Sequence, residues 1–156
     1  MTASHDVTAD VDTVFRLIYR SHSRIPDASE RQELGDILRT ARANNAAAGL
    51  TGALLLYNNW FAQVLEGPED KVMTLFERIR ADKRHDAVEI RQQSPAAPRL
   101  FTRWAMANVG EHNEPDIPLT ATRDGVAEGA PFIATAAQDA VLSVLRDLTR
   151  GYGRGA

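Results

Sequence analysis

The segment GLTGALLLYNNWFAQVLEG, residues 49–67, constrains the fold of this chain more than any other. Two runs rich in β-forming residues flank Asn58-Asn59, a pair that tolerates the left-handed backbone of a two-residue turn. The segment therefore predicts a β-hairpin with strands over Leu50–Tyr57 and Trp60–Glu66. Successive side chains of a strand point to opposite faces. Phe61, Gln63 and Leu65 share one face, Ala62 and Val64 the other, and an amide is thereby set among large apolar groups. A buried amide without a hydrogen-bond partner costs about 1–3 kcal/mol, so Gln63 needs one.

The rest of the chain supplies the layers around this hairpin. VFRLIYR, residues 14–20, predicts a first strand with Phe15, Leu17 and Tyr19 on one face and Val14, Arg16 and Ile18 on the other. Ser29 and Gln32 have capping-box spacing and predict a helix from about Glu30 to Ala47. Its stripe is Leu34, Ile37, Leu38, Ala41, Asn45 and Ala48. A second helix opens at Pro68 with Glu69 and Asp70 near its positive end, turns Val72, Leu75, Phe76 and Ile79 inward, and ends in the cations of RADKRHD. AVEIRQQS and RWAMANV predict two further strands, the second with Trp104 and Met106 on one face.

The resulting order, β-α-β-β-α-β-β, is an α+β, ferredoxin-like β-α-β-β-α-β plan with an added fifth strand and both helices on one sheet face. The first and third strands are expected side by side and parallel. Residues 1–12 read as a flexible N-terminus, 13–110 as the domain, and 111–130 as a linker with at most a short helical turn near Ala121. Residues 131–156 read as a C-terminal helical extension and tail, the helix running from about Pro131 to Thr149. Its stripe is Ile133, Ala137, Ala140, Val141, Val144, Leu145 and Leu148. It is expected to cover the free sheet face of Val14, Ile18, Ala62 and Val64, in its own chain or in another subunit.

Composition excludes several classes of function. With 156 residues, 44% of them hydrophobic, the chain is long enough for one domain with its own core. A net charge of −3 leaves no basic surplus, so no nucleic-acid partner is expected. Cysteine is absent, which removes disulfides, thiolate metal sites and thiol nucleophiles and suits a cytoplasmic setting. His5, His22 and His112 lack ligand spacing, so no metal is expected. No apolar run reaches the ~20 residues of a membrane span. Arg78, Arg80, Lys83 and Arg84 read most simply as a solvated helix end, with a phosphate contact as the alternative.

Tyr19, Gln63 and Asn45 converge on the space between sheet and helices. Either they satisfy one another and the backbone, or they line a site for a planar ligand whose edge carries both donors and acceptors. LIYRS, ARANNAAAGLTGALLLY, FAQVLEGPED, IRADKRHDAVEI and FTRWAM, taken in order over residues 14–109, resemble the signature segments of BLUF domains, the blue-light sensors that use a flavin.

The resemblance implies that residues 13–110 hold FAD noncovalently between the two helices, with FMN or riboflavin as alternatives. It makes Tyr19 and Gln63 the photochemical pair, with both also in contact with the flavin. Asn44 and Asn45 become flavin-edge amides, Arg84 and His85 residues flanking the flavin, and Trp104 and Met106 residues of signal output. It further implies that Tyr19 gives an electron and a proton through Gln63, recovers them, and leaves the Gln63 amide rearranged in a red-shifted signalling state. We expect a photosensor without a catalytic domain of its own, a homo-oligomer acting on a separate protein effector. The rival readings are a ferredoxin-like acyl-phosphate hydrolase and a flavin-free interaction module.

Overall fold

A computed structural model describes residues 13–110, 115–118 and 135–150. In chain order the elements are β1 (Thr13–Ser23), a 3₁₀ turn (Asp27–Ser29), α1 (Glu30–Ala48), β2 (Thr51–Tyr57), β3 (Trp60–Gly67), α2 (Glu69–Arg80), β4 (His85–Pro98), β5 (Ala107–Gly110), β6 (Ile117–Pro118) and α3 (Ala136–Leu148). They form one sheet of order β4-β1-β3-β2-β5-β6. The expected α+β plan is present, with one more strand than the sequence predicts. That strand, β6, pairs with β5 and lies inside the segment read as linker. The turn expected near Ala121, the N-terminal residues 1–12 and Ile133, expected in the stripe of the terminal helix, lie outside the described residues.

β1 and β3 are neighbours but antiparallel, with Tyr19 opposite Gln63. The expectation of a parallel pair was wrong for a topological reason. A strand, a helix and a second strand return the chain to its starting direction, so β1 and β2 run the same way. The hairpin then reverses the chain and inserts β3 between them. Asn58 and Asn59 both have positive φ, 57° and 67°, as a two-residue hairpin turn requires. Close packing of the hairpin also needs Gly52, because a Cβ there would lie 2.1 Å from the Val64 carbonyl oxygen.

α1 and α2 cover one face of the sheet. Phe15, Leu17, Tyr19, Phe61 and Leu65 from the strands pack there with Leu34, Leu38, Val72 and Phe76 from the helices. This is the alternation read from the sequence. The Ser29 capping box, in contrast, does not form. Ser29 ends the 3₁₀ turn, and its hydroxyl donates back to the Pro26 carbonyl at 3.3 Å. Local hydrogen bonding of this kind competes with capping.

α3 covers the other face, folding back on its own sheet. Val141, Leu142, Leu145 and Leu148 pack on Ile18, Ala62 and Val64. Ala137 and Ala140, expected in the stripe, are exposed, and Leu142 takes part instead. The helix begins at Ala136, capped by a reciprocal box between Thr135 and Gln138. Asn58 of the hairpin turn donates to the Thr149 carbonyl at its far end, 3.4 Å away.

β4 continues to Pro98, beyond the expected AVEIRQQS, with Ala87 and Ala96 at positive φ (53° and 56°) and register shifts against β1. Such bulges bend and twist a strand at a sheet edge. β5 is shorter than expected, so Trp104 and Met106 precede it in an irregular connection. On the α3 side of the sheet, fully buried Glu66 accepts from the Leu100 and Phe101 main-chain N–H groups (2.7 and 2.9 Å), from Thr51 (3.1 Å) and from Arg16 (3.4 Å). Among the described residues no helix is long and apolar enough to cross a membrane.

Candidate functional site

Between α1, α2 and the sheet lies a cavity of about 280 Å³. Its apolar walls come from Ile37, Ala41, Leu54, Phe61, Leu75 and Ile79, and its polar groups include Tyr19, Asn44, Asn45, Gln63, Asp82, Arg84 and His85. A mostly apolar lining with a few convergent polar groups is the usual make-up of a small-molecule site. A second cleft shares Asn44, Asn45, Leu75 and Arg78 with the first and extends along the helices to Thr74 and Lys71.

Tyr19 and Gln63 meet at the base of the cavity because β1 and β3 pair in the register that sets them opposite each other. The Tyr19 hydroxyl donates to Gln63 Oε1. Burial, and then the negative charge of Asp82, push the phenol above its ordinary pKa, so it stays a neutral donor. The Tyr19 ring also packs 5.5 Å from Phe76, centroid to centroid. Gln63 Nε2 donates to the Met106 sulfur at 3.4 Å. A thioether is a weak acceptor, so this amide keeps donor capacity for a better one.

Asn45 is buried on α1 and donates to the Ala105 carbonyl at 2.9 Å, while Asn44 is exposed at the rim. One turn before Asn45, Arg42 donates to the Met106 carbonyl at 3.1 Å and to Asp116 at 2.9 Å. Asp116 in turn accepts from the Asn108 main chain at 2.8 Å. Arg42 was not legible as a functional residue, since from the sequence it lies on the solvated face of the helix.

Trp104 and Met106 do not share a face. Met106 is fully buried on the cavity side with Leu54 and Phe61, whereas Trp104 is half-buried against the cluster under α3. The two-residue period holds only in a regular strand, and these residues sit in the irregular stretch before β5.

Arg84 is held by Asp82 through a fork, Nε to Oδ1 at 3.0 Å and Nη2 to Oδ2 at 2.6 Å. That hydrogen bonding holds the Asp82 carboxyl below its usual range and raises the Arg84 guanidinium. Asp82 is thus a cavity residue that sequence reasoning missed, although it stands in the same DKRHD segment. His85 uses both ring nitrogens. Nε2 lies 2.6 Å from the Ile79 carbonyl, which can only accept, so Nε2 carries a proton, and in a neutral ring Nδ1 accepts from the Ser21 hydroxyl at 2.6 Å. Of the basic cluster, Arg78 and Arg84 line the cavity, and Arg80 pairs with Glu77.

The residues present fit a flavin ring. Asn45 has spent one N–H and keeps a carbonyl oxygen and a second N–H, and Gln63 has an amide N–H resting on sulfur. Their free donors and acceptors face a slot walled by aliphatic and aromatic groups. Along the second cleft Lys71 and Arg78 outnumber the one carboxylate, Asp70, a balance that suits an anionic tail.

The model of the family of sensors of blue light using FAD matches residues 14–107. The chain is 38% identical over 111 residues to photoactivated adenylate cyclase subunit beta of Euglena gracilis, covering 70% of this chain and 13% of that protein. It is 32% identical over 151 residues to a subunit beta-like protein of the same organism, covering 96% of this chain and 17% of the relative. This chain therefore spans only a small part of these relatives. Among solved structures it resembles the photo-activated state of BlsA with a TM-score of 0.59 and 35% identity, over 61% of this chain and 68% of that one. A bacterial light-regulated adenylyl cyclase matches with a TM-score of 0.62 and 25% identity, over 90% of this chain and 35% of that one. The chain belongs to the BLUF family, the flavin-binding sensors of blue light.

Proposed function

We propose that this chain is a photoreceptor that binds FAD noncovalently in the cleft between α1 and α2 and signals by changing a protein–protein contact. The observation that carries the reading is the hydrogen bond from Tyr19 to Gln63 at the base of a cavity whose remaining polar groups suit a planar ligand. Asn44 and Asn45 hold the edge of the ring, while Arg84 and His85 flank it. FAD is favoured over FMN or riboflavin because the second cleft offers Lys71 and Arg78 to a longer phosphate chain.

Bound flavin excited by blue light supplies a strong oxidant. Tyr19 is the donor of one electron and of its phenolic proton, and both return to it within the cycle. Gln63 suits the relay because its amide has an accepting and a donating end that can exchange places. In this structure Oε1 accepts the Tyr19 hydrogen bond and Nε2 rests on Met106. Rotation or tautomerisation of the amide changes what Met106 and the flavin edge receive, which makes Met106 the first residue to register light.

α3 is the output element. It covers the sheet face opposite the cavity, and the similarity to the light-regulated cyclase extends over 90% of the chain whereas that to BlsA covers 61%. The effector is a protein or a domain that α3 contacts, and the lack of cysteine accords with a cytoplasmic setting. The test is the absorption spectrum of flavin-loaded protein before and after blue light. Wild type should show a reversible red shift that Tyr19→Phe lacks while remaining yellow and folded. A normal shift in Tyr19→Phe would remove Tyr19 from the photochemistry.

A further inference from the structure

Leu100 is held from both sides. Its N–H donates at 2.7 Å to Glu66, a fully buried carboxylate three residues beyond Gln63 on β3. Its carbonyl accepts at 2.6 Å from Nε2 of Gln138 on α3. The same Gln138 side chain accepts from the Thr135 main-chain N–H at 2.9 Å through Oε1, completing the cap of α3. These two partners fix the orientation of the amide, since Thr135 offers only a donor and Leu100 only an acceptor. One side chain thus belongs both to the helix cap and to the connection between β4 and β5. The other end of that connection is held from the cavity side, at Ala105 by Asn45 and at Met106 by Gln63 and Arg42.

We propose that Gln138 is the positioning residue through which the sensor core controls α3. While the connection sits in its dark position, the Leu100 carbonyl takes the Gln138 amide and fixes the start of the helix on the sheet. Displacement of the connection at Met106 withdraws that carbonyl, and the start of α3 loses its tether to the core. The cap within α3 is untouched by this, so the helix loosens as a unit. The light-dependent half of the proposal rests on the photoreceptor reading.

Gln138→Glu separates the two bonds. Glutamate accepts from Thr135 as well as glutamine does and favours a helix start, but it has no proton for the Leu100 carbonyl. Hydrogen exchange of the α3 amides, residues 139–149, should run about tenfold faster than wild type in the dark, the consequence of one lost part-buried bond for local opening. Blue light should accelerate exchange in wild type and add nothing in Gln138→Glu. Thr135→Ala, which weakens the cap and keeps the Leu100 bond, should retain the light response. Gln138→Ala, which keeps neither bond, should open α3 in the dark at least as far as Gln138→Glu. Wild-type exchange in Gln138→Glu, a preserved light response in it, or identical behaviour of Gln138→Glu and Thr135→Ala would overturn the proposal. The flavin red shift, read on the same samples, reports separately on the photoreceptor reading, because Gln138 lies outside the cavity.

Discussion

Glu66→Ala is the most severe single perturbation the rear of the sheet offers. The Glu66 carboxylate has no exposed surface and accepts from four donors, the Leu100 and Phe101 N–H groups, the Thr51 hydroxyl and the Arg16 guanidinium. Removing one partner of a buried ion pair costs about 3–5 kcal/mol, because the other charge stays behind without compensation. Each buried N–H left unpaired adds about 1–3 kcal/mol. The additions are partial here. Arg16 keeps the Pro98 carbonyl, and Leu100 is near enough to the surface for water to replace its lost partner. Phe101 is fully buried and has no such recourse. A loss of about 4 kcal/mol follows, a large share of the ~5–15 kcal/mol that holds a typical domain together. Glu66→Gln retains one acceptor oxygen and should lose roughly half as much. Urea unfolding followed by far-ultraviolet circular dichroism measures both, with the slope checked to confirm an unchanged denatured state. A Glu66→Ala midpoint equivalent to less than about 1 kcal/mol would refute the account of a carboxylate pinning the connection.

Three other perturbations test separate parts of the structure. Asn45→Ala should weaken flavin retention by about tenfold to a hundredfold, since it strands the Ala105 carbonyl and removes an amide from the cavity edge; equal affinity in a flavin titration would make Asn45 structural only. Leu145→Asp sets a carboxylate in the apolar contact of α3 with the sheet and should detach the helix while sparing the flavin cavity, read as rapid exchange of α3 amides in protein that stays yellow. Arg84 depresses the folded pKa of Asp82, so their mutual stabilisation is present above the unfolded value of about 3.9 and lost as pH falls through the lower folded value. Thermal melts of wild type and Asp82→Asn should therefore converge on acidification below about pH 4, and a difference that grows in acid would contradict the assigned direction.

The strands were legible because their period is short and their faces differ. Tyr19 and Gln63 fall on one side of the sheet from alternation alone, and Ile18, Ala62 and Val64 on the other, which also foretold that a terminal helix would be needed there. Features set by competition or by non-periodic backbone were not legible. Ser29 has the spacing of a capping residue, but a preceding 3₁₀ turn takes its hydroxyl. Thr135 and Gln138 have the same spacing and do form a box, a signal overlooked because the apolar stripe was extended back to Ile133. Trp104 and Met106 were assigned one face on a strand that starts only at Ala107. Glu66 could have been found, since a lone carboxylate that alternates with Ala62 and Val64 on an apolar face demands donors. Arg42 could not, because its partners, the Met106 carbonyl and the Asp116 carboxylate, lie 64 and 74 residues away in sequence.

The central claim is that the Gln63 amide, bonded to Tyr19 on one side and free to change its partner on the other, converts light into a structural change. The direct test is the light-minus-dark absorption spectrum of flavin-loaded wild type and Gln63→Leu. The account predicts a reversible red shift of the flavin band in wild type and none in a Gln63→Leu protein that is still yellow and folded. A colourless wild type, or a full red shift in Gln63→Leu, would contradict it.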